Sequence, residues 1–184
     1  MPGALRGCRS GNTCTCVSDN KGVKNSVFQE IVSEIRRYAS TARDFASLQM
    51  FSVNRIAERL PNYNWVGFYM LDPGDDGVLV LGPFRGAATE HIRIPVTQGI
   101  CGAAVAQGET VIVEDVSSDP RYLSCSIDTK SEIVVPIRAD GKVVGEIDID
   151  SHVRDAFGSD DRSFLEECAA VFGQFLEQKA KSAD

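Results

Sequence analysis

The groups best suited to chemistry in this chain are the thiols of Cys101 and Cys125 and the carboxylates of Glu132, Glu146, Asp148 and Asp150. A cysteine reacts as its thiolate, so the first question is what surrounds each sulfur. Cys125 lies in RYLSCSIDTKSE, a polar stretch running directly into Glu132, with Lys130 near enough in sequence to favour ionisation. Cys101 lies in QGICGAAVAQG, between glycines at the start of a short predicted helix, where backbone N–H groups and the helix dipole favour a thiolate. Taken alone, each cysteine is more often a buried or incidental thiol than a catalytic one, and both readings stay open here.

The acids fall in SEIVVPIRADGKVVGEIDIDS, residues 131–151, which reads as a hairpin whose register can be judged by how it sorts side chains. A two-residue Asp140-Gly141 turn sets Ile133 against Asp148 and Glu132 against Ile149, mixing charge with hydrocarbon on both faces. A three-residue loop, Ala139-Asp140-Gly141 with Gly141 left-handed, pairs Ile133 with Ile147 and Glu132 with Asp148. That choice gathers Ile133, Val135, Ile137, Val143, Ile147 and Ile149 on one face and Glu132, Glu146, Asp148 and Asp150 on the other. Opposed like charges are unfavourable, so the acidic face calls for bulk water or for a ligand. Enclosed, such a cluster would hold a proton near neutral pH and attract a cationic or zwitterionic molecule.

The remaining candidates are weaker. Cys8, Cys14 and Cys16 sit in an unpatterned stretch rich in Gly, Ser, Thr and Asn, and Cys168 lies on an apolar helical stripe as a structural thiol. His91, Cys101 and Cys125 are metal-ligand types without a Cys-x-x-Cys or His-x-x-x-His spacing, so the pattern predicts no metal site. His152 follows the acidic strand with nothing to mark it as a base.

The elements that must position these groups follow from periodicity. Residues 1–22 read as a flexible head, residues 23–180 as one domain and residues 181–184 as a tail. Val27, Phe28, Ile31, Val32 and Ile35 repeat at helical spacing, and Phe45, Leu48, Ile56 and Leu60 predict a second helix ending before Pro61. Short β-rich segments follow at 65–71, 78–81, 92–96, 110–113, 133–137 and 143–149, with Gly-Asp-Asp-Gly at 74–77 and Asp140-Gly141 as hairpin punctuation. Phe164, Leu165, Cys168, Ala169, Phe172, Phe175 and Leu176 mark a closing helix with Asp160 and Asp161 in its first turn. Hairpin strands flanked by helices at both ends predict an α+β domain with a central antiparallel sheet.

Composition narrows the function classes. A net charge of −7 over 184 residues disfavours a general nucleic-acid binder, whose affinity comes from clustered Lys and Arg. No apolar run matches a membrane span or a secretory leader, so a soluble cytoplasmic protein is expected, with an organelle address in the Arg-containing head left open. In a reducing compartment cysteines are more often reactive groups than structural disulfides.

With these residues in view, the chain resembles the free methionine-R-sulfoxide reductases, enzymes built on a GAF domain. The likeness runs from about residue 62 to 165 through NWVGFY (64–69), LVLGPF (79–84), IRIP (92–95), GICGAAVA (99–106), EDV (114–116), SEIVVPI (131–137) and IDIDS (147–151). It implies a GAF-like fold and reduction of the R-sulfoxide of free methionine, with Cys125 as nucleophile and Cys101 as a second redox cysteine. It further implies Glu132, Asp148 and Asp150 at the substrate, Trp65 as an aromatic wall with Tyr69 beside it, and no bound cofactor. A thioredoxin-type dithiol reductant and a homodimer are the partners it suggests. One departure stands out: His91 occupies the position where many members carry the resolving cysteine, and histidine forms no disulfide. Resolution then falls to Cys101, a head cysteine or an external thiol. The alternative function is a non-catalytic GAF module that binds a small ligand or senses redox state.

Overall fold

The alternation of side chains along a few strands decides this architecture, because it gives one sheet two faces of opposite character. A computed structural model describes residues 17–123 and 126–182. Its strands are β1 (Trp65–Asp72), β2 (Asp75–Arg85), β3 (Arg93–Pro95), β4 (Val111–Val113), β5 (Ser131–Ala139) and β6 (Lys142–Ser151). They form one antiparallel sheet in the order β3-β2-β1-β6-β5-β4. The helices are α1 (Val17–Ala39), α2 (Phe45–Arg59), α3 (Gly99–Gln107) and α4 (Ser159–Lys181). The expected α+β class and antiparallel sheet are present. Residues 17–22 of the expected head are helical, as the first turns of α1.

One face of the sheet carries the main core. Phe68 of β1, Ile133, Val135 and Ile137 of β5, and Ile147 and Ile149 of β6 meet Phe28, Ile31 and Ile35 of α1, Leu48 and Ile56 of α2, and Leu165 and Phe172 of α4. Each such side chain contributes roughly 1.5–3 kcal/mol on full burial, so this layer drives folding. Ring pairs tie the layer together, with Phe28 stacked on Phe164 at 4.3 Å and Phe68 edge-on to Phe172 at 4.9 Å. Cys168 is fully buried within this layer, where desolvation keeps its thiol protonated, in keeping with a structural role.

Helix entry is set locally. Asp44 accepts from the Ser47 backbone N–H at 2.8 Å while the Ser47 hydroxyl accepts from the Asp44 N–H, closing a capping box on α2. Asp161, in the first turn of α4, does more than complement the dipole. It accepts from the Gly158 N–H at 3.0 Å and the Tyr63 hydroxyl at 2.7 Å, and pairs with Lys24 at 2.7 Å. One buried carboxylate thus locks α1, the approach to β1 and α4 together.

The β5–β6 hairpin corrects the predicted register. Ala139 pairs with Lys142, and Asp140 (φ 48°) and Gly141 (φ 77°) form a two-residue turn rather than a three-residue loop. Positive φ at both positions is the type I′ geometry, whose twist matches the flanking strands. A register shift follows, with Arg138 opposite Val143 but Ile137 opposite Gly145, so Val144 is an extra bulged residue. The observed partners are therefore Ile133 with Ile149 and Glu132 with Asp150, not Ile133 with Ile147 and Glu132 with Asp148. The bulge restores the alternation that the short turn would have inverted, so the predicted sorting of the faces survives. Val144, not Val143, packs against the main core. The first hairpin is also shifted: Asp72 pairs with Asp75, placing Pro73 and Gly74 at the tip and Asp75, Asp76 and Gly77 within β2.

Gly173 sets how closely α4 lies on β5, since a Cβ there would sit 1.9 Å from the Arg138 carbonyl oxygen. Alanine gains about 1 kcal/mol over glycine in a free helix interior, but here it meets rigid backbone. Gly173→Ala is expected to destabilise the fold by about 1–3 kcal/mol net, read from urea unfolding midpoints. A stabilised variant would show that α4 can lift away from the strand without loss.

Candidate active site

The second face of the sheet holds the acids. Residues of β5 and β6 that point away from the main core bring Glu132, Glu146, Asp148 and Asp150 together, with Glu132 directly opposite Asp150. On the β1 side, Trp65 pairs with Asp150, Gly67 with Asp148 and Tyr69 with Glu146. Each acid is at most 5% exposed, which removes the reading of a solvated acidic sheet face. A second apolar cluster built from Trp65, Tyr69, Leu79, Ile94, Ile100, Cys101, Val113 and Val134 surrounds them.

Burial dominates the electrostatics of this cage. Desolvation pushes Glu146 up to about 8, and desolvation with the nearby Glu146 charge pushes Asp148 up to about 8. Desolvation followed by the charge of Asp148 raises both Glu132 and Asp150 well above the carboxylate range. The ion pairs among the described residues all involve other acids. Oδ1 of Asp148 is buried without a hydrogen-bond partner, and the oxygens of Glu146 are buried with the Cys101 thiol as their neighbour. Such atoms are costly to leave unpaired, so the cage is built to hold protons, a cation or a ligand ammonium.

Cys101 enters the cage from the first turn of α3. Its Sγ donates to Asp148 Oδ2 at 3.7 Å, and its sulfur and oxygens of Glu132 and Asp148 lie within 4.8 Å of one another. Here the thiolate expected from the helix N-terminus is corrected. Burial, then Glu146, Asp148 and Glu132, raise the thiol well above its ordinary range. A helix terminus offers up to about 2 kcal/mol to an anion, which desolvation beside several carboxylates outweighs. Cys101 is a protonated, hydrogen-bonded thiol.

An aromatic wall faces the acids. Trp65 stacks on Phe84 at 5.4 Å and on Tyr69 at 6.2 Å. The indole N–H donates to the Ala87 carbonyl at 3.1 Å, and the Tyr69 hydroxyl donates to the His91 carbonyl at 2.8 Å. Both polar tips anchor the 86–92 segment to β1. Tyr69 therefore supports the Trp65 ring and anchors the His91 backbone from a fully buried position.

Of the sequence-predicted residues, the fold brings together Cys101, Trp65, Tyr69, Glu132, Asp148 and Asp150. Cys125 lies outside the described residues, as do Cys8, Cys14 and Cys16. Before it in the chain, Tyr122 and Leu123 pack against the apolar cluster around Trp65 and Cys101. His152 is exposed, and its backbone N–H donates to Asn64 Oδ1 at 2.8 Å. Glu146, predicted on the acidic face but not among the substrate residues that the resemblance implies, is part of the same buried cluster. Gly67 is an omission, visible only once the indole is seen lying over it.

Comparison with known proteins fits this geometry. The sequence pattern of the GAF domain matches residues 25–176. The free methionine-R-sulfoxide reductase of Escherichia coli K12 is 37% identical over 149 residues, spanning 76% of this chain and 88% of that protein. A crystal structure of the Neisseria meningitidis free methionine-R-sulfoxide reductase in complex with its substrate superposes with a TM-score of 0.81 at 30% identity, covering 98% of this chain and 99% of that one. The Staphylococcus aureus counterpart, also solved with substrate, gives a TM-score of 0.74 at 31% identity over 81% of this chain and 95% of that one.

A Cβ at Gly67 would lie 2.2 Å from Cη2 of the Trp65 ring, so Gly67→Ala must displace the indole. Trp65 is the chain's single tryptophan, and its emission reports on this wall alone. The expected result is a shifted emission maximum and altered near-ultraviolet circular dichroism with an unchanged far-ultraviolet spectrum. Unchanged emission would mean that the ring does not rest on this glycine.

Proposed function

The chain belongs to the GAF domain family and, within it, to the free methionine-R-sulfoxide reductases, and from that membership we propose that it reduces free L-methionine-R-sulfoxide to methionine. The observation that carries the proposal is the enclosed carboxylate cage facing Trp65 across adjacent strands. A free amino acid presents an ammonium group that a peptide-bound methionine lacks, and buried carboxylates of Glu132, Asp148 and Asp150 suit it. The indole of Trp65 suits the S-methyl end through sulfur–aromatic contact.

In the proposed reaction the Cys125 thiolate attacks the sulfoxide sulfur while a protonated cage carboxyl delivers its proton to the oxygen. In the hydroxyl-bearing adduct so formed, the oxygen bonds to the Cys125 sulfur as the new sulfur–sulfur bond and the substrate's sulfur–oxygen bond break, which releases methionine and leaves a sulfenic acid on Cys125. The Cys101 thiol then displaces that oxygen as water, forming a Cys101–Cys125 disulfide. A thioredoxin-type dithiol reduces the disulfide and restores both thiols. Cys101 suits the second step because His91 supplies no thiol at the position usual for resolution. A reducing, cytoplasmic setting and a homodimeric assembly complete the proposal.

Turnover assays with each methionine sulfoxide epimer and with peptide-bound sulfoxide test it. The free R epimer alone should turn over, and Cys125→Ser should lose on the order of 10⁴-fold or more in rate. Asp150→Asn, removing a charged partner of the ammonium, should raise KM about 10- to 100-fold. Cys101→Ser should remain active with a small thiol and fail with thioredoxin. Turnover that survives Cys125→Ser overturns the mechanism, and substrate binding without turnover in the intact chain would identify a sensing module instead.

A further inference from the structure

The cage offers an arrangement that suits a second kind of ligand besides methionine sulfoxide. The Cys101 sulfur and oxygens of Glu132 and Asp148 converge within 4.8 Å, all three side chains being buried. Two carboxylates alone would suit protons or an ammonium. A sulfur among them changes the ligand chemistry, because thiolate oxygen-mixed sets select borderline-soft divalent ions over magnesium or calcium.

We propose that Cys101, Glu132 and Asp148 form a binding site for a divalent cation of the zinc class, which excludes substrate from the cage when it binds. The spacing fits such an ion. A tetrahedral zinc with a sulfur at about 2.3 Å and an oxygen at about 2.0 Å sets these two ligands about 3.5 Å apart. The Cys101 sulfur and Asp148 Oδ2 are 3.7 Å apart. Independently, Asp148 Oδ1 is buried without a hydrogen-bond partner. Glu146 stands two positions from Asp148 on the same strand face and is fully buried, so its carboxylate is placed to accept from a water on the ion. On binding, the Cys101 proton leaves to solvent and the metal–sulfur bond replaces the hydrogen bond to Asp148.

The ligands come from α3, β5 and β6, which explains why no metal motif shows in the sequence. They are also the groups proposed to hold the substrate ammonium and to resolve the oxidised nucleophile. Metal and substrate must then exclude one another. This exclusion rests on the proposed reductase reading, whereas the metal site itself does not.

The test uses the full chain bearing Cys8→Ser, Cys14→Ser and Cys16→Ser, stripped of metal and titrated with Cd²⁺ in the absence of added thiol. One equivalent should produce the ultraviolet thiolate-to-cadmium charge-transfer band, and Zn²⁺ should bleach it by displacement. Cys101→Ser should abolish the band, and Asp148→Asn should weaken Cd²⁺ binding at least about tenfold, both with unchanged far-ultraviolet circular dichroism. Cys125→Ser should retain the band, and in that background free methionine-R-sulfoxide should raise the apparent Cd²⁺ dissociation constant. A band that survives Cys101→Ser, or vanishes in Cys125→Ser, overturns the site. Normal turnover with no band overturns the metal site and leaves the reductase standing. A band in a chain that reduces no methionine sulfoxide upholds the metal site and removes the reductase reading.

Discussion

Everything in this structure answers to the burial of Glu132, Glu146, Asp148 and Asp150 on one face of a sheet. Desolvating carboxylates side by side opposes folding, and no ion pair among the described residues offsets it. The opposite face supplies the compensation. There Ile133, Val135, Ile147 and Ile149, from the same two strands, are packed beneath α1, α2 and α4. The two strands thus carry the strongest apolar contribution and the costliest polar one at alternate positions. The period of the strand is what allows both to coexist.

The 86–92 segment is anchored beside the cage through backbone carbonyls. Tyr69 grips the carbonyl of His91 and Trp65 grips that of Ala87. A main-chain acceptor is indifferent to the side chain that follows it. The Tyr69 anchor therefore holds this segment irrespective of the side chain at position 91. The same logic separates the thiols by role: Cys168 is packed in the hydrocarbon layer, whereas Cys101 hydrogen-bonds to an acid in the cage.

Cys101 also shows why position on an element is not chemistry. A helix N-terminus favours an anion, and the sequence around α3 advertises that feature. The carboxylates that reverse the preference reach the sulfur from β5 and β6, strands separated from it by many residues of chain. Local sequence records the favourable influence and is silent about the larger opposing one.

What the sequence determined by itself is what depends on short-range periodicity. The helical stripes of α1, α2 and α4, the antiparallel strands, the apolar face and the acid-bearing face of the β5–β6 hairpin follow from residues two to four apart. So does the membership of Glu146 in the acidic face, since it stands two positions from Asp148. Tertiary structure alone decided the rest. The type I′ turn at Asp140-Gly141 and the bulge at Val144 cancel in face but not in register, so the partners of Ile133 and Glu132 moved by two while the sorting held. Whether the acidic face met water or protein, how closely Trp65 lies on Gly67, and which groups surround the Cys101 sulfur depend on elements brought together across the fold. A linear pattern encodes which side of a strand a residue faces, but the distance and dielectric that give that residue its chemistry exist only once the layers have packed.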